Sequence, residues 1–185
     1  MSKLIERKER FEERLEGRNR MLWDILVFLL RFTVLAAPLY ILLWTSWNPV
    51  WLRSLEAGIT HQVLQLAGVS SQHQGTVVTT RTLSVDVSTD STGWKSVLAL
   101  AALIIAVRGY TWRERLSGIM AGTVILFTAN IARLASMIYA VEVWNISYQL
   151  IHLFLWRWGL TAVVLATWLV WLHWTDQQED ERSPI

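Results

Sequence analysis

Four long apolar stretches, each interrupted by very few charges, constrain this chain more than any other feature. They run over residues 22–46, 91–107, 116–141 and 151–174. A helix rises about 1.5 Å per residue, so about 20 apolar residues cross a hydrocarbon core of about 30 Å. The chain is 53% hydrophobic and only 17% charged, with its charge concentrated at the ends and in a few loops. This pattern predicts an all-α polytopic membrane protein with about four transmembrane helices.

The segment between the first two stretches has a different pattern. Apolar residues recur at helical spacing among polar ones over residues 50–68, which predicts an amphipathic helix on the outer membrane surface. Residues 68–75 are rich in Gly, Ser and Gln and predict a loop. Residues 76–87 are rich in Thr, Val and Leu, which predicts a short extracytoplasmic β-hairpin or extended segment.

The distribution of charge predicts the orientation. Residues 1–20 carry seven basic residues and five glutamates, and three arginines lie in the short segment 108–115. Cytoplasmic loops are enriched in Lys and Arg, so both segments are expected in the cytoplasm. Residues 1–20 then form a charged cytoplasmic extension, residues 21–175 the membrane domain and residues 176–185 a polar cytoplasmic tail. The interleaved glutamates favour a solvated helix over a nucleic-acid site, and no nucleic-acid partner is expected.

Three polar groups open or interrupt the apolar stretches. Ser91 lies in the polar segment 90–96, Arg133 lies within the third stretch, and His152 opens the fourth. Ionisable groups are costly in a bilayer and tend to mark function. With this topology all three fall near the outer membrane face, which predicts an extracytoplasmic active site in a multi-pass protein of the cell membrane.

Ser91 is the candidate nucleophile, and its chemistry leaves alternatives open. It begins a predicted helix, where unpaired N–H groups and a positive dipole would favour an oxyanion. From this segment alone, capping of that helix by Asp90, Ser91 or Thr92 is the better interpretation. A serine needs a base, for which His152 is the first candidate. Lys95 is four residues from Ser91, but extension of its side chain to the outer interface is preferred.

Arg133 remains charged under any plausible condition and therefore cannot act as a base. It would clamp a carboxylate or stabilise a developing oxyanion. The structural alternative is an internal ion pair with Asp86, Asp90 or Glu142. Cysteine is absent, which excludes a thiolate site, and nothing in the sequence supports a metal or redox cofactor.

The order of these segments resembles the exosortase/archaeosortase family of polytopic membrane transpeptidases. Ser-Thr-Gly-Trp-Lys-Ser at 91–96 resembles the family's Cys-Thr/Ser-Gly block, and Asn-Ile-Ala-Arg at 130–133 resembles its Asn-x-x-Arg block. His152, with Arg157 as the alternative, resembles the His or Arg that begins the next span, and residues 66–69 resemble the end of the outer amphipathic helix. The chain differs in having serine at the cysteine position and fewer predicted spans.

The resemblance implies a membrane-embedded sorting protease or transpeptidase. Its partners would be the C-terminal sorting tails of secreted or surface proteins, with a membrane lipid as a possible acceptor of the new carboxyl end. Ser91 would be the nucleophile, His152 would transfer the proton, and Arg133 would stabilise the oxyanion or orient the peptide. Ser91 is then an active nucleophile, a degenerate site or an engineered replacement.

Two other hypotheses remain. The first is a non-catalytic membrane subunit that binds sorting tails or a partner complex. The second is an unrelated intramembrane serine protease, which ranks last because the usual Gly-x-Ser-Gly pattern is absent.

Overall fold

The protein is mostly helical. The computed structural model describes residues 2–45, 47–147 and 159–182, with side chains described from residue 19 to residue 177 within those ranges. The elements in chain order are α1 Ser2–Leu35, α2 Ala37–Trp44, α3 Val50–Leu66, β1 Ser71–Gln74, β2 Val77–Thr80, β3 Ser84–Asp86, a 3₁₀ turn Thr89–Ser91, α4 Trp94–Ala106, α5 Trp112–Trp144 and α6 Leu160–Arg182.

Within the described part of the chain, two helical segments are long and apolar enough to cross a membrane. They are Asn19–Trp44, which is formed by the end of α1 and by α2, and Trp112–Trp144 in α5. The expectation of four spans is therefore not confirmed. Helix α4 has 13 residues, about 20 Å of helix, which is short of a hydrocarbon core of about 30 Å. Residues 151–158 of the predicted fourth span lie outside the described residues, and α6 contains the span from Leu160 onward.

The first segment is apolar on nearly all sides. Only 6% of its most apolar window is buried inside the protein, against 50% for α5. A helix with apolar side chains all round is stable where lipid surrounds it. The helix is interrupted at Ala36, two residues before Pro38, as expected from the missing proline N–H.

Helix α5 is central to the helical bundle, since it packs against α3, α4 and α6. Two glycines one turn apart allow this close packing. A Cβ at Gly118 would overlap the indole of Trp171 on α6, and a Cβ at Gly122 would overlap Leu100 on α4. Small residues at this spacing let helix backbones approach in membranes. The apolar cluster around them, here called the bundle core, contains Leu100, Ile104, Leu126, Val164 and Trp171.

Arginines from two neighbouring helices bind the C-terminal end of α4. Arg31 Nη2 donates to Ile105 O at 3.3 Å, and Arg115 donates to Ile105 O at 3.2 Å and to Val107 O at 2.9 Å. The last carbonyls of a helix lack intrahelical donors and carry the negative end of its dipole. Both arginines therefore stabilise the C-terminal end of α4.

The strands form one antiparallel sheet in the order β1-β2-β3. The sequence predicts a loop over residues 71–74, and the structure corrects this, because the segment pairs with β2 from Ser71↔Thr80 to Gln74↔Val77. The polar side chains of this segment do not prevent pairing, because β1 is an edge strand and its pairing is made by backbone hydrogen bonds. The extended segment predicted at 76–87 is thus part of a three-stranded sheet, with Gly75 at φ +59° in the turn between β1 and β2.

Helix α3 confirms the helix predicted at 50–68, and it packs on the sheet and on α5. The apolar cluster at this junction, here called the cap core, contains Ala57, Leu64, Val69, Val78, Val87, Leu134, Ala135 and Ile138. Arg53 attaches the helix to the sheet, with Nε donating to Val87 O at 2.6 Å and Nη2 paired with Asp86 at 2.9 Å. The position of α3 and the sheet relative to a membrane remains a prediction.

Candidate active site

A polar cluster lies between the bundle core and the cap core. Helix α5 contributes Asn130 and Arg133, which lie in the sequence between Leu126 of the bundle core and Leu134 of the cap core. The other two contributions come from the turn that precedes α4 and from α3. Polar side chains at this depth must find hydrogen-bond partners, because an unsatisfied buried polar group is costly.

Asn130 and Arg133 both bind the backbone of Ser91. Asn130 Nδ2 donates to Ser91 O at 3.0 Å, and Arg133 Nη2 donates to the same oxygen at 2.8 Å. The two side chains are three residues apart, so they lie on one face of α5. Both are buried. The structure thus brings together two of the three predicted site residues, through the carbonyl of Ser91.

The hydroxyl of Ser91 points to a different partner. Ser91 Oγ and Ser88 Oγ are 2.7 Å apart, and the Ser91 residue is 6% exposed. The interpretation of this segment as a side-chain cap of α4 is wrong, because Gly93 is the N-cap residue and no side chain caps the helix. Thr92 Oγ1 instead donates to Thr89 O at 2.8 Å.

Lys95 and the acidic residues near Arg133 have other partners. Lys95 Nζ pairs with Asp90, so its ammonium is directed toward that carboxylate. Asp86 pairs with Arg53, and Glu142 accepts hydrogen bonds from threonines of the segment 80–82. Lys95 is thus paired with Asp90, and its extension to the outer interface stays a prediction. Each of the acids that the sequence offers as partners of Arg133 binds another group.

Glu56 on α3 completes the cluster, and no sequence motif had marked it as a site residue. Its Oε1 accepts from Gly93 N at 3.3 Å and its Oε2 from Asn130 Nδ2 at 3.0 Å, while its residue is fully buried. Burial raises the pKa of Glu56 from 4.5 to about 7, although the Gly93 N–H, the charge of Arg133 and the Asn130 amide each lower it. Helix α3 lies outside both candidate membrane spans.

A model of the transmembrane exosortase family matches residues 19–172. The chain belongs to this family. No curated protein and no solved structure gives a significant match to the chain. The matched range includes both apolar cores and every residue of the polar cluster. At the level of the family, membership supports a membrane-embedded sorting transpeptidase that acts on C-terminal sorting signals of secreted proteins.

A cavity of about 300 Å³ opens beside the cluster of this exosortase. The surface of this cavity is almost entirely apolar, and the residues that line it are Leu42, Trp47, Leu52, Glu56, Gly93, Trp94, Val97, Leu98, Thr123 and Phe127. Trp47 and Trp94 meet edge to face at 5.0 Å between ring centroids. Ligand-binding pockets are typically about 300–1,000 Å³ and mostly apolar, so this cavity is a candidate binding site beside the polar cluster.

The third predicted site residue, His152, and its alternative, Arg157, lie outside the described residues. Their roles therefore remain predictions. Among the residues that the structure describes, no three carboxylate, imidazole or thiol side chains lie close enough together to hold a metal ion.

Proposed function

We propose that this exosortase cleaves near the C-terminal membrane anchor of secreted proteins, with Ser91 as the nucleophile. Ser91 Oγ would attack the scissile carbonyl to form an ester, and its proton would pass to the departing amine through His152. A lipid or water nucleophile would then attack the ester and pass its proton through His152 to the departing Ser91 Oγ. The shortened protein would leave joined to the lipid or, after attack by water, with a free carboxyl end. The site would face the extracytoplasmic side.

One observation carries this proposal: Asn130 and Arg133 hydrogen-bond the carbonyl of Ser91 inside a buried cluster. Asn130 and Arg133, which belong to the Asn-x-x-Arg block, therefore fix the backbone of Ser91, which stands at the nucleophile position of the other block. Preorganisation of this kind is what nucleophilic catalysis requires. Arg133 would act by holding Ser91 and by stabilising negative charge that develops beside it.

The test is processing of a co-expressed substrate that carries a candidate sorting tail. Ser91→Ala should abolish cleavage, while Ser91→Cys should retain it, because a thiol supplies the family's usual nucleophile. Ser136→Ala is the matched control, since the hydroxyl of this exposed residue donates to Arg133 O of its own helix at 2.9 Å. It should cleave like the unmodified protein.

Intact mass analysis of the trapped enzyme separates catalysis from binding. An acyl adduct that requires Ser91 supports the proposal. Unchanged processing in Ser91→Ala would reject Ser91 as nucleophile. Tail binding without any adduct, together with unchanged binding in Ser91→Ala, would support the non-catalytic membrane subunit instead.

A further inference from the structure

Glu56 links three elements at one point, although it lies in none of the segments that resemble the family's motifs. It is fully buried on α3, between the cap core and the start of α4. A buried carboxylate is costly unless it is hydrogen-bonded and balanced by charge. Here Gly93 N and Asn130 Nδ2 are its donors, and Arg133 is the cation whose charge acts on it.

The contacts form a closed chain around the turn 91–93. Glu56 Oε1 holds the N–H of Gly93, and Glu56 Oε2 holds the amide nitrogen of Asn130. That same nitrogen donates to Ser91 O. One carboxylate therefore fixes the turn at Gly93 directly and at Ser91 through Asn130.

We propose that Glu56 is a positioning residue, which sets the place of Ser91 by holding Gly93 and Asn130 together. This inference rests on the proposed function, in which Ser91 is the nucleophile. Glu56 acts through the backbone of the turn and through Asn130, and it does not touch the peptide. Its loss releases the turn from α3 while the two apolar cores remain packed.

The experiment uses a single thiol as a probe of this turn. The chain contains no cysteine, so Ser91→Cys introduces the sole thiol. The rate of alkylation by a maleimide is measured in detergent-solubilised protein, with Glu56 intact and in Glu56→Gln and Glu56→Ala. Position 91 is buried, so its thiol should react slowly while the turn is held in place. Removal of the Glu56 carboxylate, which binds Gly93 and Asn130, should speed alkylation about tenfold. Glu56→Asp should lie between, since it keeps the carboxylate on a shorter side chain.

Two controls separate positioning from general loosening. Met137→Cys, in a protein that retains Ser91, places a thiol at a buried position on α5, and its alkylation rate should not change with Glu56→Gln. Glu142→Gln removes the carboxylate that threonines of the segment 80–82 bind, and it should leave the rate at position 91 unchanged. Equal acceleration at positions 91 and 137 would refute positioning and indicate a global role in packing. Rates at position 91 within about twofold of the parent would also refute it.

Processing of the co-expressed substrate is the second measurement, in the background that carries Ser91. Glu56→Gln should lower cleavage about tenfold, since a nucleophile that is no longer held loses preorganisation. If Ser91→Ala cleaves normally, the proposed function fails, whatever Glu56 does to alkylation. If Ser91→Ala is inactive and Glu56→Gln changes neither measurement, only the inference about Glu56 fails.

Discussion

The stability of the protein should depend on pH through Glu56, and Glu56→Gln should remove that dependence. Burial raises the pKa of Glu56 from 4.5 to about 7. Between these values the folded protein binds more protons than the unfolded chain, so the free energy of unfolding falls as pH rises. Each tenfold change in proton affinity corresponds to about 1.4 kcal/mol. The total decrease is therefore about 3 kcal/mol, complete once the pH exceeds the folded pKa.

The assay is thermal or denaturant unfolding of both proteins in the same detergent, at pH 4.5, 6 and 8. Other titrating groups contribute equally to both proteins, so the difference between them isolates Glu56. The free energy of unfolding of the unmodified protein should decrease relative to Glu56→Gln by about 3 kcal/mol across this range. A difference that stays constant within about 1 kcal/mol would mean that Glu56 titrates near its ordinary pKa. The cost of burying its charge would then not exceed the stabilisation from Gly93, Asn130 and Arg133, and the raised pKa would be refuted.

Two further predictions concern packing and the attachment of the sheet. Gly118→Ala should lower the free energy of unfolding by about 1–3 kcal/mol, because the added methyl overlaps the indole of Trp171. The control is Gly58→Ala, whose methyl makes ordinary contacts and should be neutral or stabilising. Equal unfolding curves for both alanine variants would contradict the close packing of α5 and α6. Arg53→Lys should lower the free energy of unfolding by about 1–2 kcal/mol and speed proteolysis of the sheet, because an ammonium cannot bind Asp86 and the Val87 carbonyl together as a guanidinium does. Unchanged proteolysis would show that this attachment is dispensable.

The meeting of Ser91 with Arg133 was predictable because it depends on the order of the segments. A polar turn that begins one helix and a polar residue within the next apolar helix come together when the two helices are antiparallel neighbours. The sequence could not predict that the contact is made through the carbonyl of Ser91. That detail depends on rotamers and on the approach of two backbones at Gly93.

Glu56 could not be selected from the pattern of its helix. The spacing of apolar residues in α3 predicts an amphipathic helix on the membrane surface, and its exposed side does carry Trp51 and Leu55. That pattern does not say what the opposite side faces. The structure buries Glu56 and Thr60 there, and Glu56 binds Asn130 of α5 and the turn before α4. A glutamate followed by an alanine and, one turn later, a threonine is common on solvated helices as well, so these residue types alone do not indicate a buried carboxylate.

The sequence alone determined that the chain is a mostly helical membrane protein of the exosortase type, because apolar length and the spacing of short motifs are local properties. The expectation of four spans stays a prediction, since the length of an apolar stretch does not reveal where its helix begins and ends. The tertiary structure decided that α4 is short, that segment 71–74 is a strand, and that Glu56 shares a cluster with Asn130. Those outcomes depend on contacts between residues far apart in the chain, and a burial energy exists only after the elements have packed.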